Sequence, residues 1–204
     1  QAGVKIVMIT GDHVDTAYAI AKQLGITDSM KACITGEELE RMPDEKLRER
    51  CEDLRVFARV SPQHKVRIVK AFRANGNVAA MTGDGVNDAP SLKAADIGIA
   101  MGKCGTDVAK NAADIILTDD NFATIERAIE EGRGIYENIK KSVLFLLSSN
   151  FGEIITMFLA VIAGLGSPLK ASHILWVNLI TDSLPALALG VDENDRKLLM
   201  QKPP

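Results

Sequence analysis

The chain has 204 residues with 24 basic against 27 acidic side chains and a net charge of −3, which leaves no basic stripe of the kind that tracks nucleic acid. That length buries a core as one domain or as two. Cys33, Cys51 and Cys104 are odd in number and out of metal-ligand spacing, so they read as reduced packing thiols rather than a zinc site or a disulfide framework.

In chain order, "VKIVMIT" (4–10) predicts a strand and Val14 to Leu24 a helix. The chain opens directly on that strand, without a signal peptide, and reads as a piece of something longer. "VFARV" (56–60) is followed by a helix from Lys65 to Arg73, "NVAAMT" (77–82) by one from Asn87 to Ala95, and "IGIAM" (97–101) by one from Thr106 to Ala113. "DIILT" (114–118) closes the series. Strand–helix alternation of this kind predicts an α/β fold, a parallel sheet with helices on both faces.

Such sheets bind ligands beyond the carboxyl ends of their strands. Three polar clusters fall there: "TGD" (10–12), "SPQHK" (61–65) and "TGDGVNDAP" (82–90). Thr10 and the amides near Gly11 can donate to phosphate oxygens, and Lys65 supplies a point charge. Asp84 and Asp88 offer two carboxylates to Mg2+, which takes few protein acids and prefers phosphate beside them. Singly each cluster has a plainer role: "TGD" or Asp88 as a helix cap, Lys65 as a solvated charge. Jointly, at three strand ends, they point to phosphoryl chemistry.

Charge nearly vanishes after Lys141. Residues 142–165 carry one acid and no base, enough as a helix to cross ~30 Å of hydrocarbon, and 171–191 follow after "GSPLK". Together they predict a transmembrane hairpin. Arg133, Lys140 and Lys141 before it, and Arg196, Lys197 and Lys202 after it, put both ends on the cytosolic side. The competing expectation is two buried helices of a soluble bundle. A carboxylate near mid-bilayer opposes insertion by ~2.5–3.5 kcal/mol, so Glu153 and Asp182 call for a purpose. Asn150 and Glu153 are three apart, and Asn178, Thr181 and Asp182 are spaced i, i+3, i+4, so each set falls on one helical face. Pro185 denies the Thr181 carbonyl its usual donor. This oxygen-only set suits a hard cation, calcium best; the plainer alternative is hydrogen bonding that merely braces the helices.

"MITGDHVDTA", "FARVSPQHK", "MTGDGVNDAPSLKAADIGIAMG" and "GTDVAKNAADIILTDDNFATI" resemble the phosphorylation domain of P-type ATPases, cation pumps built on the haloacid-dehalogenase-like, Rossmannoid fold. The resemblance implies that Asp84 binds the catalytic Mg2+ with Asp88 in support, and that Asn87 and Lys65 contact the transferred phosphoryl group. It further implies that Thr10, Gly11, Asp12 and Arg59 position phosphate and the ATP nucleotide. The family's phosphorylated aspartate stands in an Asp-Lys-Thr-Gly run, which does not occur here. The expected layout is residues 1–137 as the C-terminal part of the phosphorylation domain, 138–192 as the fifth and sixth transmembrane helices and 193–204 as a cytosolic loop. Residues 1–140 and the C-terminal end would be cytosolic in a multi-pass membrane protein. The implied partners are membrane lipid and the pump's actuator, nucleotide-binding and other transmembrane parts, with no nucleic acid.

"NFGE" with "WVNLITDSLPALALG" is similar to calcium pumps of the sarco/endoplasmic reticulum type and their bacterial relatives. This implies Asn150, Glu153, Asn178, Thr181 and Asp182 as ligands of transported Ca2+. Sodium and proton/potassium pumps carry Asp where Asn178 stands, and heavy-metal pumps would place Cys, His or Met in these spans. The alternatives are a free-standing phosphohydrolase of the same fold, a P-type pump for Na+, Mn2+ or Mg2+, or a non-catalytic membrane regulator.

Overall fold

Short apolar runs that end in Gly-, Ser- or Thr-containing turns build six parallel strands in the N-terminal unit of the chain. The computed structural model describes residues 3–166 and 168–192, and the chain divides into two units at Phe122/Ala123. The expected cytosolic loop, 193–204, lies outside the described residues.

The unit Val4–Phe122 holds two three-stranded parallel sheets. One runs β1 (Met8–Ile9), β3 (Val56–Ala58), β2 (Cys33–Thr35); the other runs β4 (Ala80–Gly83), β5 (Ile97–Met101), β6 (Ile115–Leu117). The register pairs Ile9 with Phe57, Ile34 with Phe57 and Thr82 with Ile99. Among the described residues β1 and β4 each keep one edge unpaired. Ile9 packs into both cores: one built on Ile34, Leu39, Phe57 and Ile68, the other on Val69, Met81, Leu92 and Ala100.

α1 (Val14–Gln23), α4 (Pro62–Ala74), α5 (Ala89–Ala94) and α6 (Asp107–Ala112) fall on the predicted helical stretches. The helices α2 (Gly36–Arg41) and α3 (Asp44–Arg50), with strand β2, occupy a region the periodicity left blank. "CIT" is too short to show alternation. α2 is nonetheless signed by a capping box: the Thr35 hydroxyl accepts from Glu38 N–H at 3.3 Å and the Glu38 carboxylate accepts from Thr35 N–H at 2.8 Å.

In the second unit a single helix, α7 (Ala123–Ile162), runs for 40 residues, ~60 Å at 1.5 Å per residue. It passes without a break through the boundary expected at 137/138. Among the described residues it is the one helix long and apolar enough to cross a membrane by length and composition. The expected second span is built instead from α8 (Ala171–Trp176), a π-helical turn (Val177–Asp182) and α9 (Ser183–Gly190). α7 and α9 pack together, tied by Ser142 Oγ to the Ala186 carbonyl at 3.0 Å.

Candidate active site and cation site

The loop after β4 is wound around one carboxylate. Asp88 is 7% exposed. Its Oδ1 takes an ion pair from Lys65, and its Oδ2 accepts from Asp84 N–H at 3.3 Å and Gly85 N–H at 3.2 Å. Gly83 permits this: a Cβ there would stand 2.5 Å from the Asp88 Cβ. Asp88 sits at the cap position of α5 but reaches back into the loop, not forward onto helix amides. Burial works to raise its pKa. The Lys65 ammonium and the Gly85 and Asp84 amides outweigh it and hold Asp88 below the ordinary carboxylate range.

Both Asp88 oxygens are therefore committed to the protein, while Asp84 is exposed, bonded through its backbone, and its carboxylate has no hydrogen-bond or ion-pair partner among the described residues. The two expected metal carboxylates divide their work: Asp88 shapes the loop and Asp84 is presented by it. Asn87 is exposed on the same 3-10 turn, Val86–Asp88. Sequence spacing could not separate these roles, because both acids lie in one turn motif.

Lys65 owes its place to the start of α4. Ser61 accepts from His64 N–H at 3.3 Å, His64 Nδ1 accepts from Ser61 N–H at 3.2 Å, and Pro62 fills the first helical position. With Nδ1 accepting, the His64 ring proton sits on Nε2, against the Glu40 carboxylate. His64 is buried and was not singled out by its sequence context; its capping-box offset from Ser61 is the signal that could have found it.

At the end of β1, Thr10 Oγ1 donates to Asp12 at 2.8 Å and accepts from Asp12 N–H at 3.1 Å. His13, not this cluster, caps α1. Arg59 follows β3 with φ 51°, a left-handed backbone that costs a non-glycine residue ~1–3 kcal/mol. Its N–H is fastened to the Asp12 carbonyl at 3.1 Å. Thr10, Gly11, Asp12 and Arg59 thus share one edge, at the carboxyl ends of β1 and β3. Asp84, Asn87 and Asp88 lie past the end of β4, joined to α4 by Lys65.

In the second unit Ser149 Oγ donates to Asp182 Oδ1 at 2.9 Å. Glu153 Oε1 and Asp182 Oδ2 are buried without a hydrogen-bond partner among the described residues. A buried carboxylate oxygen left unpaired is costly, and a bound cation would satisfy it; the other Asp182 oxygen meanwhile ties the second span to α7 through Ser149. Asn150, Asn178 and Thr181 are exposed on this helix pair. The expected common face of Asn178, Thr181 and Asp182 presupposed α-helical spacing. The stretch Val177–Asp182 is a wider π-turn with i→i+5 bonding, along which Asp182 is buried while Asn178 and Thr181 are exposed. Ser183 Oγ donates to the Asn178 carbonyl, five residues back, at 3.0 Å. Pro185 lies just after the π-turn, inside a helical run that continues into α9, where it has no N–H to give to the preceding turn. No group of three or more His, Cys, Asp or Glu side chains is placed to hold a metal among the described residues.

Residues 1–96 match a profile described as haloacid dehalogenase-like hydrolase, 66–129 a second profile of that description, and 166–204 one described as cation transporting ATPase, C-terminus. The chain is 64% identical over 203 residues to "Calcium-transporting ATPase 1" of Bacillus cereus, covering 100% of this chain and 23% of that protein. It is 50% identical to human "Calcium-transporting ATPase type 2C member 1", covering 100% of this chain and 22% of that one. A zinc-transporting PIB-type ATPase of known structure overlays on 90% of this chain and 24% of its own, with 29% identity and a TM-score of 0.60. The chain thus spans about a quarter of the length of these relatives. On the parallel haloacid dehalogenase-like fold and on identity carried across its whole length, the chain matches a stretch of P-type cation-transporting ATPases.

Proposed function

We propose that this chain is the energy-coupling stretch of an ATP-driven calcium pump. Its first unit would complete an aspartyl-phosphate site, and its second would hold part of the path for Ca2+ across a membrane. The observation that carries the reading is the pair of buried, unpartnered oxygens on Glu153 and Asp182, in a chain 50–64% identical over its length to proteins named as calcium-transporting ATPases.

Mg2+ fits the first unit because Asp84 offers an exposed carboxylate on a loop already charge-balanced by Lys65 and Asp88. Bound there with ATP-derived phosphate, it would neutralise charge that accumulates on the transferring oxygens. Lys65 has donors beyond the one given to Asp88 and with Asn87 would hold the phosphoryl group. Thr10, Gly11 and Asp12, beside Arg59, would meet phosphate and nucleotide from the other sheet. The acceptor aspartate would come from an Asp-Lys-Thr-Gly strand; one lying along the free edges of β1 and β4 would end among these groups.

Asn150, Asn178 and Thr181 would complete the Ca2+ shell together with oxygens of further helices. Amides and hydroxyls exposed on an apolar pair are costly against lipid and cheap against protein or an ion.

The test is Glu153→Gln in the full-length protein, which keeps shape and removes one charge. The calcium concentration supporting phosphorylation from ATP should rise about tenfold or more. Phosphorylation from inorganic phosphate without calcium should persist. An unchanged calcium dependence in a protein that melts normally would remove Glu153 from the ion site.

A further inference from the structure

The stretch between β5 and α7 contains a second wound loop that the phosphoryl chemistry above does not use. Gly102, Lys103 and Cys104 turn three successive N–H groups toward one point, an arrangement that binds anions. The anion is internal: Asp120 Oδ1 accepts from Gly102 at 2.6 Å and Lys103 at 2.9 Å, and Oδ2 from Cys104 at 2.8 Å. Asp120 adopts φ 55°, a conformation Asp tolerates better than most side chains, with its N–H on the Leu117 carbonyl at 3.2 Å. The loop closes tightly on the end of β5, where at Gly105 even a Cβ would stand 2.0 Å from the Met101 carbonyl oxygen. Its far end is fixed to the metal loop, for Thr106, the cap of α6, donates its N–H to the Asp84 carbonyl at 2.8 Å.

A continuous set of contacts therefore runs from the backbone of Asp84, through residues 102–106, to the carboxylate of Asp120, three positions before α7 begins. We infer that Asp120 is a positioning residue: seated in the amide cradle of Gly102–Cys104, it holds the loop that fixes the Asp84 backbone, and so sets how the Asp84 carboxylate meets Mg2+. The inference rests on the assignment of Mg2+ to Asp84. It adds that this geometry depends on a side chain at the threshold of the long helix. A carboxylate is needed because the Lys103 and Cys104 amides take different oxygens of Asp120, while the Gly102 N–H is shared between Asp120 and the Leu117 carbonyl at 2.8 Å. Asparagine has one acceptor oxygen and would set an NH2 group against the remaining donor.

The test compares Asp120→Ala and Asp120→Asn with the unaltered full-length protein. It reads the Mg2+ dependence of phosphorylation from inorganic phosphate and the hydrogen exchange of residues 102–106. Asp120→Ala should raise the half-saturating Mg2+ concentration about tenfold, as for loss of charge-assisted hydrogen bonds, and speed exchange at 102–104. Formate, entering the emptied cradle, should bring both partway back, while having no effect on the unaltered protein. Asp120→Asn, closer in shape, should fold if the alanine form does not and should show a smaller shift in the same direction. Faster exchange with unchanged Mg2+ dependence would make Asp120 a local brace and overturn the inference. The assignment of Asp84 fails separately, if Asp84→Asn leaves the Mg2+ requirement intact.

Discussion

Lys65 and Asp88 form an ion pair in which both side chains are largely withdrawn from water. Lys65→Met would leave the Asp88 carboxylate facing its two amides alone. The expected cost is about 2–3 kcal/mol, readable as a lower unfolding midpoint, and Asp88→Asn in the same background should recover part of it. The carboxylates also set an acid limit. Asp88 is held below its ordinary range, and the Gly102–Cys104 amides, with those of Lys103 and Cys104 foremost, lower Asp120 to about 2. A carboxylate whose folded pKa is depressed adds stability above its unfolded value, near 3.9, and loses it as pH falls through the folded one. The melting temperature should therefore drop between about pH 4 and about pH 2, and Asp120→Asn should flatten that part of the curve. The placement of Thr10, Arg59, Asp84 and Asp88 just past strand ends was legible because each stands in a polar turn that closes a short apolar run. The split between Asp84 and Asp88 was not, since it depends on which oxygen meets which amide. The Asp120 cradle was equally hidden, because its donors are backbone groups some seventeen residues away and leave no mark in side-chain spacing.

Helix and strand positions followed periodicity where apolar runs were long enough to show it. β2 and the pair α2–α3 escaped because three-residue strands and one- or two-turn helices carry too few positions for a period. The π-turn escaped for another reason. Its sequence, "VNLITD", is compatible with an α-helix, and the extra width shows only in the backbone of Val177–Asp182. Close approach between elements gives a sharper expectation. Gly83→Ala would push a Cβ into Asp88 and Gly105→Ala into backbone oxygen, whereas Gly11 has nothing within 4 Å. The first two substitutions should cost about 1–3 kcal/mol each as overpacking, the Gly105 change more because backbone cannot swing aside. Gly11→Ala should leave the melting temperature almost unmoved, so thermal denaturation of the three proteins orders them directly.

Taken whole, the chain joins a parallel α/β unit to a 40-residue helix whose later half exposes Leu144, Leu147, Phe151, Ile154, Phe158 and Leu159. Contiguous apolar surface of that extent is normal against lipid or further helices and unusual against water. On the proposed reading Ser149→Ala, which frees the buried Asp182 Oδ1, should weaken calcium-dependent phosphorylation several-fold and lower the melting temperature measured without calcium, as expected when a buried acceptor loses its hydrogen bond. The free edges of β1 and β4 have a consequence for the chain on its own. Among the described residues no strand pairs with either edge, and such edges recruit whatever strand is nearest. Released into dilute buffer, the Val4–Phe122 unit should self-associate through these edges, scattering light increasingly with concentration. A short β-forming peptide able to occupy an edge should keep it dispersed, whereas a proline-bearing version of that peptide should fail.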